Sequence, residues 1–230
     1  MLKHALEQGS SRRRWAVPAG LAFAAALLAA CDSTPAAVTY GPAAPAGARL
    51  NLPVPSSGIL DSAKWPNSCD LLTDTELKAI LPQSSKIDHK PQKVSFFTPT
   101  GVDANGKLTA WAPPADVPAG ECNLWFHLPA KWDGQNSNID IVMRAIADPA
   151  SITAFFQKER TAESKATDLG SVAGATCYSA SRGTLHCAHG QYYFEISGRS
   201  DPIDDDKTDG PTWREKVLYE AIRTLVAKMS

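Results

Sequence analysis

Beyond residue 30 this chain has no cluster of lysines or arginines. That absence argues against nucleic acid as a partner, because neutralising phosphates needs concentrated positive charge. There is no Cys-x-x-Cys, no phosphate-binding glycine loop and no His-Glu-x-x-His, so the chemistries those spacings serve are not announced. A serine elbow is missing too. Gly170-Ser171-Val172-Ala173-Gly174 has the glycines but puts the serine one position early. One cluster, His186-Cys187-Ala188-His189, has metal-ligand residue types. On a strand its two histidines point to opposite faces, and Cys187 has a better use in a disulfide. The aspartates Asp201, Asp204, Asp205, Asp206 and Asp209 fail as a calcium loop. With Gly210 at the sixth position, Lys207 and Lys216 fall at the third and twelfth, where oxygen ligands are required. His89 and His127 lie on or near predicted strands with no carboxylate partner evident. No catalytic residue, metal ligand or cofactor is assigned, and the chain is expected not to be an enzyme.

A run of the ~20 apolar residues that span a bilayer is also lacking. The apolar stretch from Trp15 to Ala30 is shorter and contains Pro18 and Gly20. Preceded by Lys3, Arg12, Arg13 and Arg14, it reads as a secretory signal peptide over residues 1–30. Ser11-Arg12-Arg13-Arg14-Trp15 also fits a degenerate twin-arginine export signal. The stretch closes on Leu28-Ala29-Ala30-Cys31, which resembles the lipobox of bacterial lipoproteins. The resemblance implies that the Cys31 thiol is lipidated and that Cys31 becomes the first mature residue, anchored to the cell membrane on its extracytoplasmic face. The alternative is cleavage after a neighbouring alanine, which would release a soluble protein. Of the five cysteines, lipidation of Cys31 leaves four, an even number suited to paired thiols in an oxidising compartment. Removing residues 1–30 takes away four basic residues and one acidic, leaving 19 against 23 and a net charge of −4.

Residues 31–60 are rich in Ala, Pro, Gly and Ser and poor in large apolar side chains. Such a segment buries too little to offset its ordering entropy, so a disordered, partly extended tether is expected. Residues 61–230 suffice for one domain. Thr73 and Glu76 have capping-box spacing, with Leu72 and Leu77 placed as a hydrophobic staple and Pro82 ending the helix. Lys93 to Thr98 reads as a strand, followed by a Pro/Gly-rich excursion from Pro99 to Gly120. Cys122, Leu124, Phe126 and Leu128, then Ile139, Ile141 and Met143, alternate as strands of an antiparallel sheet covered on one side. Asp148-Pro149 starts a second helix with Ile152, Phe155 and Phe156 on its apolar stripe. Residues 175–181 and 184–189 form a hairpin around Ser181-Arg182-Gly183, and Tyr192 to Ser197 forms a further strand. Thr212 and Glu215 repeat the capping-box spacing before a last helix. The expectation is a single α+β domain: an antiparallel sheet of about five to six strands with two or three helices to one side. Four cysteines allow three connectivities. The hairpin puts Cys177 opposite Cys187, which favours that bridge and leaves Cys69 with Cys122.

Cys69-Asp70-Leu71-Leu72-Thr73, then Glu121-Cys122-Asn123-Leu124-Trp125, then Gly170, Gly174 and Tyr192-Tyr193-Phe194-Glu195-Ile196, are similar to an actinobacterial lipoprotein family of unknown function over residues 65–228. In that family the aromatic follows the later cysteine by two positions; here it is displaced by one. The resemblance implies a cell-envelope location and a compact α+β domain, and it carries no catalytic residues across. Trp111 and Trp132 fall in predicted loops, where core packing explains a large ring less readily. They are the candidate binding residues, for a glycan, lipid or envelope protein. The leading expectation is a lipid-anchored, non-enzymatic binding or interaction module. The alternatives are an envelope hydrolase whose residues converge only in space, and an accessory subunit of a membrane complex.

Overall fold

Helix α1 (Asp74–Ile80) begins where its capping box dictates. Thr73 accepts from the Glu76 amide, and the Glu76 carboxylate accepts from the Thr73 amide at 2.8 Å. Leu72 and Leu77, the staple pair, are both fully buried. The molecule is described by a computed structural model over residues 35–43, 47–53, 58–96, 103, 115–203 and 210–230. After α1 the chain lays down β1 (Ser85–Phe96), β2 (Ala115–His127) and β3 (Ser137–Ile146), then α2 (Pro149–Ala162). Four more strands follow: β4 (Thr167–Val172), β5 (Ala175–Ser179), β6 (Leu185–His189) and β7 (Tyr192–Ser200). The C-terminal helix runs from α3 (Pro211–Trp213) through a π-helical stretch (Arg214–Leu218) into α4 (Tyr219–Met229).

The fold is α+β, around one antiparallel sheet of seven strands in the order β1-β2-β3-β7-β6-β5-β4. Five to six strands were expected; the added strand is β4 at one edge, and β1 at the other edge is longer than expected. The expected strand from Lys93 starts eight residues earlier, at Ser85, and includes Pro91. An edge strand tolerates a residue without an N–H, and its charges discourage pairing with other chains. The excursion expected to run to Gly120 is strand from Ala115 onward. At the opposite edge, β4 is mostly exposed and irregular at Gly170, so it lacks the alternation that marks a half-buried strand.

Helices cover both faces, which corrects the expectation of a sheet covered on one side. The front face, with Cys122, Leu124, Ile141, Phe194 and Cys187, packs with α1 and α4 side chains in the main core. The neighbouring strand residues Tyr178 and Tyr193 point the other way, into a second cluster with Ile152, Phe155 and Phe156 of α2. Asp148 caps α2, its carboxylate accepting from the amides of Ala150 and Ser151. The capping box expected at Thr212 and Glu215 does not form: Gly210 is the N-cap and Pro211 occupies the first turn. Proline there costs no hydrogen bond and sets the helical φ, so the helix starts one residue ahead of Thr212. Disulfides join Cys69 to Cys122 and Cys177 to Cys187. Cys177 and Cys187 face each other directly in the β5–β6 register.

The expectation of a disordered tether over 31–60 is corrected at residues 35–43 and 47–53, and the domain accordingly begins before residue 61, with Pro35–Ser230 as one unit. These residues form a strap laid over the front layer. Gly41 donates to the Ile80 carbonyl, Ala43 to Glu220, and Leu50 to the Lys228 carbonyl. Val38, Leu50 and Leu52 pack against the core. At Gly41 a Cβ would lie 2.1 Å from the Ala79 carbonyl oxygen, so only glycine allows this approach. Backbone hydrogen bonds hold the strap, and composition does not register them. Cys31 and the 1–30 segment lie outside the described residues.

Candidate functional site

The turn between β2 and β3 carries Trp132, and its backbone is fixed on several sides. Asn136 is buried and closes the turn with both ends of its amide. Its Oδ1 accepts from the Leu128 amide at 2.9 Å and its Nδ2 donates to the Leu128 carbonyl at 2.8 Å. His127 Nδ1 lies 2.6 Å from the Gly134 carbonyl oxygen, so it carries the proton there. Lys86 reaches across from β1 to the Asp133 carbonyl and carboxylate, both at 2.6 Å, and holds the Asp133 carboxyl below its usual range.

Trp132 itself is 50% exposed. Its ring lies over Gly134, where a Cβ would sit 2.0 Å from the indole. Glycine therefore lets one edge of the ring rest on backbone. The ring borders a cleft of about 420 Å³ with three walls: the strap at Pro35–Val38, the turn at Pro129–Trp132, and Asp201–Pro202 at the end of β7. Sequence reasoning reached Trp132 but missed Asn136, Lys86 and the strap. Only the Asp133-Gly134 pair hinted at a tight turn holding the ring. Trp111 and the aspartates from 204 to 209 lie outside the described residues.

A second concentration of polar groups lies on the back of the sheet. Arg144, at the bulge where β3 slips against β7, has Nε 3.1 Å from Glu195 Oε1 and Nη2 3.6 Å from Glu159 Oε2. His186 stacks on Tyr178 at 4.6 Å between centroids, with Nδ1 2.9 Å from the Tyr193 hydroxyl and 3.3 Å from Glu195. Burial, with Arg144 adding to it, pushes His186 down to about 4. Burial pushes Glu195 up, and Tyr193 up as well. A histidine and carboxylate brought together in space are groups that the hydrolase alternative could use. Here the pair is covered by α2, the imidazole is neutral at physiological pH, and its neighbours already use it. Toward β2 the same face continues with Asp140, which accepts from Asn123 and Asn138 and is pushed up by burial.

The one metal-type grouping among the described residues is Cys69, His89 and Cys122. Its sulfurs are joined to each other, which leaves no thiolate to ligate. His89 nevertheless has a carboxylate partner that the sequence did not reveal, with Nε2 2.7 Å from Asp74 Oδ1. His186 and His189 have different surroundings: His189 approaches the Gly174 carbonyl and the Ser230 hydroxyl. No family model matches the chain, and neither a curated protein nor a solved structure was found to be similar to it.

Proposed function

We propose that this chain is an exported lipoprotein, held on the outer face of the cytoplasmic membrane by a lipid on Cys31, that acts as a non-enzymatic binding module of the cell envelope. The Leu28-Ala29-Ala30-Cys31 stretch supports the anchor. So does the pairing of the other four cysteines, which leaves Cys31 outside both bridges. Among the described residues no helix is long and apolar enough to cross a membrane. The resemblance to the actinobacterial lipoproteins points the same way.

The observation that carries the binding role is Trp132, half exposed on a turn fixed by Asn136, His127 and Lys86 and bordering the cleft. A large ring held in place contributes contact area at little ordering cost. The test is retention by the immobilised mature protein of cell-wall glycan fragments, lipid vesicles or solubilised envelope proteins. One class is expected to be retained and to be lost, ten-fold or more, with Trp132→Ala. Equal retention by both proteins, or none in any class, would remove this reading. The accessory-subunit reading keeps one specific support. Helix α2 reaches the back of the sheet at β6, β7 and the Arg144–Ala145 end of β3, and crosslinking in intact cells from Asn123 or Lys90, farther along the same face, would show whether a partner covers it there.

A further inference from the structure

The binding reading leaves the ligand of the Trp132 cleft open, and the position of the strap narrows it. We infer that the cleft seats on the bilayer that holds the anchor, with the Trp132 ring in the lipid headgroup region. This rests on the lipidation of Cys31 proposed above.

The short chain between Cys31 and the cleft limits how far the cleft can lie from the anchor. The strap is bonded to the domain from its first described residues: Gln83 Nε2 donates to the Ala37 carbonyl at 3.0 Å, and the Thr39 amide donates to Gln83 Oε1 at 2.7 Å. Pro35 already lines the cleft. Four peptide units separate it from Cys31, a covalent reach of at most ~14 Å. A diacylated cysteine sits at the membrane surface, so the cleft wall is confined to about that distance from the headgroups. An extended tether over residues 31–60 would have held the domain far from the bilayer, but its length from Pro35 onward is taken up by the strap.

The exposed rings lie on the same side as the cleft wall and the strap. Among the described residues the large exposed apolar side chains are Tyr40, at 38%, and Trp132, at 50%. Tyr40 is on the strap, two residues past the cleft wall, and Trp132 is in the cleft. Tryptophan and tyrosine are the side chains that favour the membrane interface, where an apolar ring and a polar edge are both accommodated. With a net charge of −4 after cleavage at Cys31, and without a basic cluster, general electrostatic attraction to anionic lipid does not account for such a contact. The rings and the anchor have to supply it, and a fixed Trp132 loses little freedom in doing so.

The experiment uses the purified, full-length mature protein reconstituted in phosphatidylcholine vesicles carrying lipids brominated either near the headgroup or deep in the chains. Mass spectrometry first establishes whether Cys31 carries a diacylglyceryl group; a protein without it overturns both the anchor reading and this inference. With the lipid present, shallow bromines are expected to quench up to about a fifth of the emission, one ring of the five in the mature chain. Trp132→Phe should abolish that component. Equal quenching in the two proteins, or none in either, overturns the membrane contact and leaves the anchor standing. Soluble cell-wall glycan that shields Trp132 from an aqueous quencher, with no bromine effect, overturns it in favour of a wall ligand.

Discussion

The sheet buries charge on both faces but manages it in opposite ways. On the front, Lys228 and Glu76 are nearly inaccessible, at 4% and 5% exposure of their side chains, and form an ion pair at 2.7 Å. Their remaining capacity is used as well: Lys228 donates to the carbonyls of Asp70 and Leu71, and Glu76 accepts from the amides of Thr73 and Gly47. Burial by itself raises the Glu76 carboxyl, but the Lys228 and Thr73 hydrogen bonds bring it below its ordinary value. On the back, Arg144 serves both Glu195 and Glu159, and burial leaves Glu195 raised and His186 depressed. The difference teaches that the front pair is a clasp. It ties the last helix to the capping box of the first and to the strap, whereas the back groups remain a compromise with partial solvation.

The largest effect should come from opening the clasp. Lys228→Met leaves a buried carboxylate without its counter-charge, and the expected cost is about 3–5 kcal/mol in urea unfolding. Glu76→Gln combined with Lys228→Met should recover more than half, because the glutamine keeps an acceptor for the Thr73 amide and no charge remains buried. On the back, Arg144→Met should cost only about 1–2 kcal/mol, since its side chain is 24% exposed and water can replace part of what is lost. Equal costs for the two lysine and arginine variants would erase the contrast between the faces.

Acid should separate the faces next. His186 is neutral in the folded protein down to about 4, against its ordinary value of 6.5 when unfolded. Between those values the unfolded chain binds the extra proton, so the stabilisation is present above 6.5 and drains away as the pH falls toward 4. The loss over that window is about 3 kcal/mol. Glu76, held below its ordinary value, adds a further loss only at lower pH, as acid protonates it in the folded state. His186→Gln, which keeps a hydrogen-bond partner for the Tyr193 hydroxyl, should flatten the profile between pH 6.5 and 4 while leaving the decline below it. Thermal unfolding across pH 2 to 8 measures both. An unchanged slope in the variant would mean that the histidine is not the group that titrates.

How much of this was visible beforehand follows the range of each interaction. Thr73 and Glu76 are three residues apart, so the cap could be read directly. Lys228, which completes the clasp, lies 152 residues further on and carried no mark beyond its place near the end of an apolar helix. The Cys177–Cys187 bridge was legible because a short hairpin fixes its own register, and Cys69–Cys122 followed by elimination. Strands β1 and β4 were misjudged because edge strands are polar, and Pro91 and Gly170 looked like punctuation. The strap was misjudged because its attachments run through backbone groups. Trp132 could be named from its loop, but the geometry that holds it required Lys86 from another strand and Asn136 across the turn.

The smallest expected effect probes the part of the back face that no α-helix described here covers. Asp140 accepts from Asn123 Nδ2 at 2.9 Å and from Asn138 Nδ2 at 2.8 Å, and burial raises its carboxyl. A carboxylate raised in this way favours folding fully below its unfolded value of 3.8, and that contribution is lost as the pH rises through the higher folded value. At neutral pH its charge is therefore a burden. Asp140→Asn removes the charge but would turn one accepting oxygen into a donor facing a donor. Asn138 can absorb that change, because its Oδ1 is buried with no hydrogen-bond partner, and a flip of its amide presents that oxygen to the new group. The expected outcome is a gain of up to about 1 kcal/mol at pH 7, the scale of a single hydrogen-bond exchange, and none at pH 3. A loss at both pH values would show that the Asn138 amide cannot turn, and that this face is fixed as tightly as the clasp on the front.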